Sequence, residues 1–126
     1  LKIKNQQKSK DNLSLVTGLI IDVRGNNFIP SLNPRIRQKS GEILYPDEKK
    51  ENNIMDNGQL VSLFATDVNF AMDHPIVGNN PLLIKANSLW KSDHTEISLA
   101  ANDAAKLVYL AENEQLLNVG VIIVLD

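Results

Sequence analysis

Short apolar runs broken by turn signals, with a single amphipathic helix near the C-terminus, predict an α+β domain. Its centre should be a mixed β-sheet of five to six strands. Residues 13–23 and 119–126 are apolar on both faces over strand length, the mark of central strands covered on both sides. Between them lie hairpin-like pairs and one clear helical stretch, in which Ala104, Leu107, Val108 and Ala111 recur at i, i+3, i+4 and i+7. A chain of 126 residues is the size of one domain. Residues 1–12 read as a flexible basic arm or linker and residues 13–126 as the domain.

The elements follow in order. Residues 13–23 form the first strand, and Gly18 within it predicts a bulge or a close backbone approach. Gly25, Asn26 and Asn27 make a turn, because these residues accept positive φ at low cost. Pro30 and Pro34 stiffen the next connection. Residues 35–37 and 42–45 pair as a hairpin around Ser40-Gly41. Residues 46–58, the most polar internal stretch, read as a mobile surface loop. Residues 59–64 form a strand, and residues 66–72 read as a short helix capped by Thr66, with a strand the alternative because Val68, Phe70 and Met72 alternate. Residues 73–81 are loop, and 82–90 a second long strand. A turn at 91–94 leads to a strand at 96–99. The main helix, capped by Asn102, then feeds the closing strand, a strand–helix–strand crossover.

Composition narrows function. Apolar residues are 43% and charged residues 22%, the globular range. No apolar run reaches the ~20 residues of a membrane helix. The chain lacks cysteine, so disulfides and thiolate metal sites are excluded. It opens without Met or an apolar leader, so it is expected to be a processed product or an excised piece, and any signal or anchor would lie outside it. Basic residues are not interleaved with aromatics, which argues against nucleic acid. The net charge of −2 conceals a division: residues 1–39 carry eight Lys/Arg and two acids (+6), residues 40–126 five Lys and thirteen acids (−8). Complementary patches of this kind suit self-association, and a solvated basic arm on an acidic domain is the plain alternative.

Two Asp-His pairs, Asp73-His74 and Asp93-His94, invite a metal reading, a metal-dependent hydrolase in which His74, His94 and Asp93 are the ligands. Their spacing fits no ligand motif, and no metal is expected. Asp22 and Arg24, with Arg35 and Arg37, could form an anion pocket, since Arg presents a planar donor fork to carboxylates. The structural alternative, a turn or an ion pair between subunits, is preferred. No serine sits in a Gly-x-Ser-x-Gly elbow and no Gly-Lys-Ser/Thr phosphate loop occurs. Trp90 at a strand end could face a partner or close a core. No catalytic residue and no cofactor is expected.

Four segments together are distinctive: TGLIIDVRGNNFIPSLNPRI (17–36), GEILY (41–45), NNPLLIKA (79–86) and TEISLAANDAAKLVYLAENEQLLNVGVIIVLD (95–126). In this order they resemble a domain of bacterial cell-envelope lipoproteins, the group that includes the flagellar basal-disk lipoproteins and their partner proteins. Gly18, Asp22, Arg24, Gly25, Pro30, Pro34, Ile36, Gly41, Tyr45, Pro81, Lys85, Ala86, Asp103 and Ala104 carry the match, and residues 46–78 fit it poorly. The resemblance implies an exported, non-enzymatic structural protein. It would assemble in the periplasm or at the periplasmic face of the outer membrane, in a disk or ring around a flagellar motor. Its expected partners are copies of itself and other envelope or flagellar proteins. The lipidated cysteine of such proteins has no counterpart here, so membrane attachment would need an anchor outside this chain. Gly18, Asp22, Arg24, Gly25, Pro30, Pro34, Arg35 and Arg37 are the expected structural motif and interface.

Overall fold

A computed structural model describes residues 13–32, 34–57, 62–117 and 120–126. The expected arm, residues 1–12, lies outside the described residues, as do residues 59–61 of one expected strand. In chain order the elements are β1 (Gly18–Asp22), β2 (Arg35–Gln38), β3 (Ile43–Tyr45), α1 (Glu48–Asn57), β4 (Leu63–Ala65) and α2 (Val68–Asp73). A 3₁₀ turn (Pro75–Val77) follows, then β5 (Pro81–Lys85), β6 (Ser88–Trp90), β7 (Asp93–Leu99), α3 (Ala101–Glu112) and β8 (Val121–Val124). The α+β expectation holds. The strands number eight among the described residues and divide between two four-stranded sheets, β4-β8-β1-β5 and β3-β2-β7-β6.

All three pairings of the first sheet are parallel, with β1 and β8 at its centre. Both read as unbroken apolar runs because each of their faces is covered. Leu19, Ile21, Val121 and Ile123 face Ile36 and Ile97 of the second sheet and Leu107 and Leu110 of α3. Ile20, Ile122 and Val124 face Ala71 of α2 and Val77 of the 3₁₀ turn. The second sheet is mixed: β2 runs parallel to β7, with antiparallel hairpins at both ends. The β2–β3 register shifts by one at Leu44, so Leu44 and Tyr45 are both buried.

Several expectations need correction. Residues 48–57 are helix α1 rather than a loop. Asp47 caps it, its Oδ1 accepting the Lys50 N–H at 2.9 Å, and Glu48 and Glu51 stand in the first turn, where the helix dipole favours acids. Lys50, 3% exposed, donates Nζ to the Leu117 carbonyl at 3.0 Å, and Asn53 Nδ2 reaches the same oxygen at 2.7 Å. Residues 82–90 are two strands in different sheets. The chain leaves the first sheet at Ala86, whose carbonyl accepts Asn26 Nδ2 at 3.0 Å. The first strand begins at Gly18, since residues 13–15 make a helical turn tied to the end of α3 by Gln115 Nε2, which donates to the Leu13 carbonyl at 2.7 Å. Asp67, not Thr66, caps α2, and Ala100 stands at the cap position of α3 without a side-chain bond, so Asn102 lies inside the helix. The strand–helix–strand unit joins two sheets, β7 in one and β8 in the other.

Candidate functional site

The four parallel strands end in register, with Asp22 level with Val124 and Lys85, and Ala65 level with Val124. Open parallel sheets bind ligands at this carboxyl edge, where neighbouring loops leave toward opposite faces. Here the loop after β1 passes to the second sheet, and the loop after β4 passes to α2 on the other face.

Asp22 is the hub of the edge. Its carboxylate accepts Arg24 Nε at 2.9 Å, Arg24 Nη2 at 2.8 Å and the Arg24 backbone N–H at 3.1 Å. Lys85 Nζ lies 3.6 Å from Oδ1 and donates to the Arg24 carbonyl at 2.6 Å. The bidentate Arg24 bond, with the Lys85 charge in support, holds the Asp22 carboxyl at about 2, against an ordinary 3.8, although burial opposes the shift. The same bond raises Arg24. Gly25 then turns with φ +87°, a conformation glycine adopts without strain, and aims its N–H at both Asp126 carboxylate oxygens, each at 3.0 Å. Asn26 Nδ2 closes the turn on the Val23 carbonyl at 3.1 Å. A carboxylate with so low a pKa is a poor proton acceptor near neutrality, and its lone pairs are already committed. The arrangement locks the strand ends.

Beside it, at the end of β4, opens a concavity of about 450 Å³ lined by Phe64, Ala65, Thr66, Asp67 and Phe70. Phe70 is 62% exposed there, and Phe64 meets Phe28 of the β1 loop at 6.3 Å between ring centres.

Gly18 sits where the backbones of β1 and the 3₁₀ turn nearly touch: a Cβ would fall 2.5 Å from Val77 Cα. That is the close approach expected, without a bulge. Pro30 is exposed, and Pro34 is buried just before β2. Arg35 and Arg37 belong to the second sheet. Arg37 bonds Glu96 through Nε and the Gly41 carbonyl through Nη1, and stacks on Trp90 at 5.4 Å, with Lys91 over the same ring at 4.8 Å. Arg35 Nε is buried without a hydrogen-bond partner among the described residues. Asp22 with Arg24 and Arg37 with Glu96 therefore lie in two separate clusters, and Asp22, Arg24, Arg35 and Arg37 do not meet in one anion pocket.

The imidazoles lie at opposite ends of the parallel sheet. His74 Nδ1 accepts the Ile76 N–H at 3.2 Å in the 3₁₀ turn, whose Ile76 carbonyl holds Gly120 just before β8. His94 Nδ1 contacts the Asn27 carbonyl at 3.0 Å, in the loop leaving β1. Asp93 turns back on Thr95 and does not approach His74's end. No cluster of three or more His, Cys, Asp or Glu suited to a metal occurs among the described residues. No helix among them is long and apolar enough to cross a membrane.

Sequence reasoning missed Lys85, Asp126, Phe28, Phe64 and Phe70 as members of this edge. Only strand register brings them together, and the Lys85 position in its strand was the one available signal. No curated protein matches the chain. The family model described as Treponema pallidum Tp0624, second domain, matches residues 18–126, nearly the whole described domain, and the chain belongs to that family.

Proposed function

We propose that this domain is a non-enzymatic assembly module of the bacterial cell envelope, binding copies of itself and other envelope proteins. Its setting is the periplasm or the periplasmic face of the outer membrane, and its finer placement a disk or ring around the flagellar motor. The observation that carries this reading is the commitment of the carboxyl edge. Asp22, Arg24, Gly25 and Lys85 hold one another and the neighbouring strand ends, which makes a rigid end face. The order of the sequence motifs supports the envelope setting, and the division into a basic first third and an acidic remainder supports contacts between copies. Sedimentation velocity tests it. Oligomers are expected at low salt and should weaken toward ~1 M, where screening acts within about 3 Å. A strict monomer at high protein concentration and low salt refutes the reading.

The concavity beside Phe70 favours a second reading, a periplasmic binding domain for a small ligand or a cell-wall polymer. Calorimetry with cell-wall glycan fragments separates the two. Saturable heat that Phe70→Ala removes supports a binding site, and none across the fragment series removes it.

A further inference from the structure

We infer that two copies of this chain pair through the free edge of β5, strand against strand about a twofold axis at Leu83. The inference deepens the self-association proposed above and rests on it. β5 ends the parallel sheet and is its longest edge, five residues against three for β4. The edge strands of the other sheet, β3 and β6, also have three each.

Among the described residues, hydrogen bonding fixes which backbone groups of β5 face away from β1. The Ala86 N–H donates to the Asp22 carbonyl, and the Asn80 carbonyl accepts the Thr17 N–H, so the even-numbered residues turn toward β1. By alternation Pro81, Leu83 and Lys85 turn their backbone groups to the open edge. Leu83 shares a sheet face with Ile20, yet it lies 43% exposed at the strand's centre because α2 and the 3₁₀ turn cover β1 and β8 instead.

This edge is self-complementary about Leu83, its exposed apolar residue. With Leu83 on the axis, the two Leu83 residues exchange both their backbone bonds. Each Lys85 N–H then meets the Pro81 carbonyl of the other copy. Pro81, which has no N–H, stands where a donor is missing from the pair. The alignment shifted to set Leu83 opposite Lys85 would place an apolar side chain against an ammonium, whereas the Leu83 pairing joins the two exposed apolar side chains. The proline and lysine guard the edge from indiscriminate pairing. No like charges face each other across it, and Asp22 already balances Lys85 at 3.6 Å. Five residues a side bury far less than the roughly 1,200–2,000 Å² of a standard interface. The pair is therefore weak alone and forms at the high local concentration of an array.

Sedimentation equilibrium of the full chain, with circular dichroism to verify folding, tests this using Leu83→Lys and Leu83→Glu. Expected at high protein concentration are a weak dimer in the parent that outlasts the loss of charge-held oligomers as salt rises, monomers for each variant alone in that salt range, and a dimer restored when the two variants are mixed. A dimer surviving in both variants, or a mixture that stays monomeric, overturns the β5 pairing while leaving the assembly reading standing. A parent that is monomeric at every salt and concentration overturns both.

Discussion

Replacing Asp22 by Asn should cost stability mainly above pH 4. The folded carboxyl sits at about 2 and the ordinary value is 3.8, so the unfolded chain binds the proton first. The group's contribution is therefore full above ~pH 4 and disappears as pH falls through about 2. With the Arg24 side chain 46% exposed, solvent screening leaves it on the order of 1 kcal/mol. Urea midpoints measured from pH 7 to 2 should fall less steeply in Asp22→Asn than in the parent. An unchanged acid slope would mean that other carboxylates govern the acid transition. Gly18→Ala acts through space instead. The added methyl meets the backbone of Val77, which cannot yield as a flexible side-chain end can, and a loss of about 1–3 kcal/mol is expected in thermal melts.

Helix α1 is the element whose hold on the domain is most polar. Ile54 is its one apolar side chain packed on the core, and Lys50 and Asn53 converge on one carbonyl, that of Leu117. Burial pushes the Lys50 ammonium down, so that contact is made against a desolvation cost. Asp47→Ala should remove the cap and about 1 kcal/mol. Hydrogen exchange should show the α1 amides opening well before those of β1, because a helix held by few apolar contacts opens locally. Equal protection in the two elements would contradict that ordering. The same chemistry explains why residues 46–58 read as a loop. Ile54 and Met55 alone are apolar in ten helical positions, so periodicity was silent, and only Asp47 before two glutamates hinted at a helix start. Where burial on both faces dictates composition, as in β1 and β8, the strands were legible. The split of residues 82–90 was not, because Ala86-Asn87 is an ordinary pair in sequence and becomes a corner only when Asn26 reaches Ala86 from the turn after β1. The carboxyl edge was half legible for the same reason. Asp22, Arg24 and Gly25 are neighbours in the chain, whereas Lys85 and Asp126 join them through register.

Two sheets in one small domain raise the question of whether they unfold together. The larger core draws side chains from both, Leu19 and Ile21 from the parallel sheet and Ile36, Ile97 and Leu99 from the mixed one, with Leu107 and Leu110 of α3 against them. Each sheet loses the cover of its inner face if the other leaves, so a half-folded state would expose most of that core to water. Ile97, wholly buried, is a probe of this coupling. Ile97→Ala should cost about 2–5 kcal/mol, a large share of the roughly 5–15 kcal/mol that holds a domain together. Trp90 reports on the mixed sheet and far-ultraviolet dichroism on the whole, so the test is whether the two denaturation midpoints move together. A common shift means that one core governs both sheets. A fluorescence midpoint that moves while dichroism stays would mean that the parallel sheet, with α2 and the 3₁₀ turn on its other face, stands by itself, and that the smaller cluster around Ile20, Val77 and Ile122 suffices to hold it.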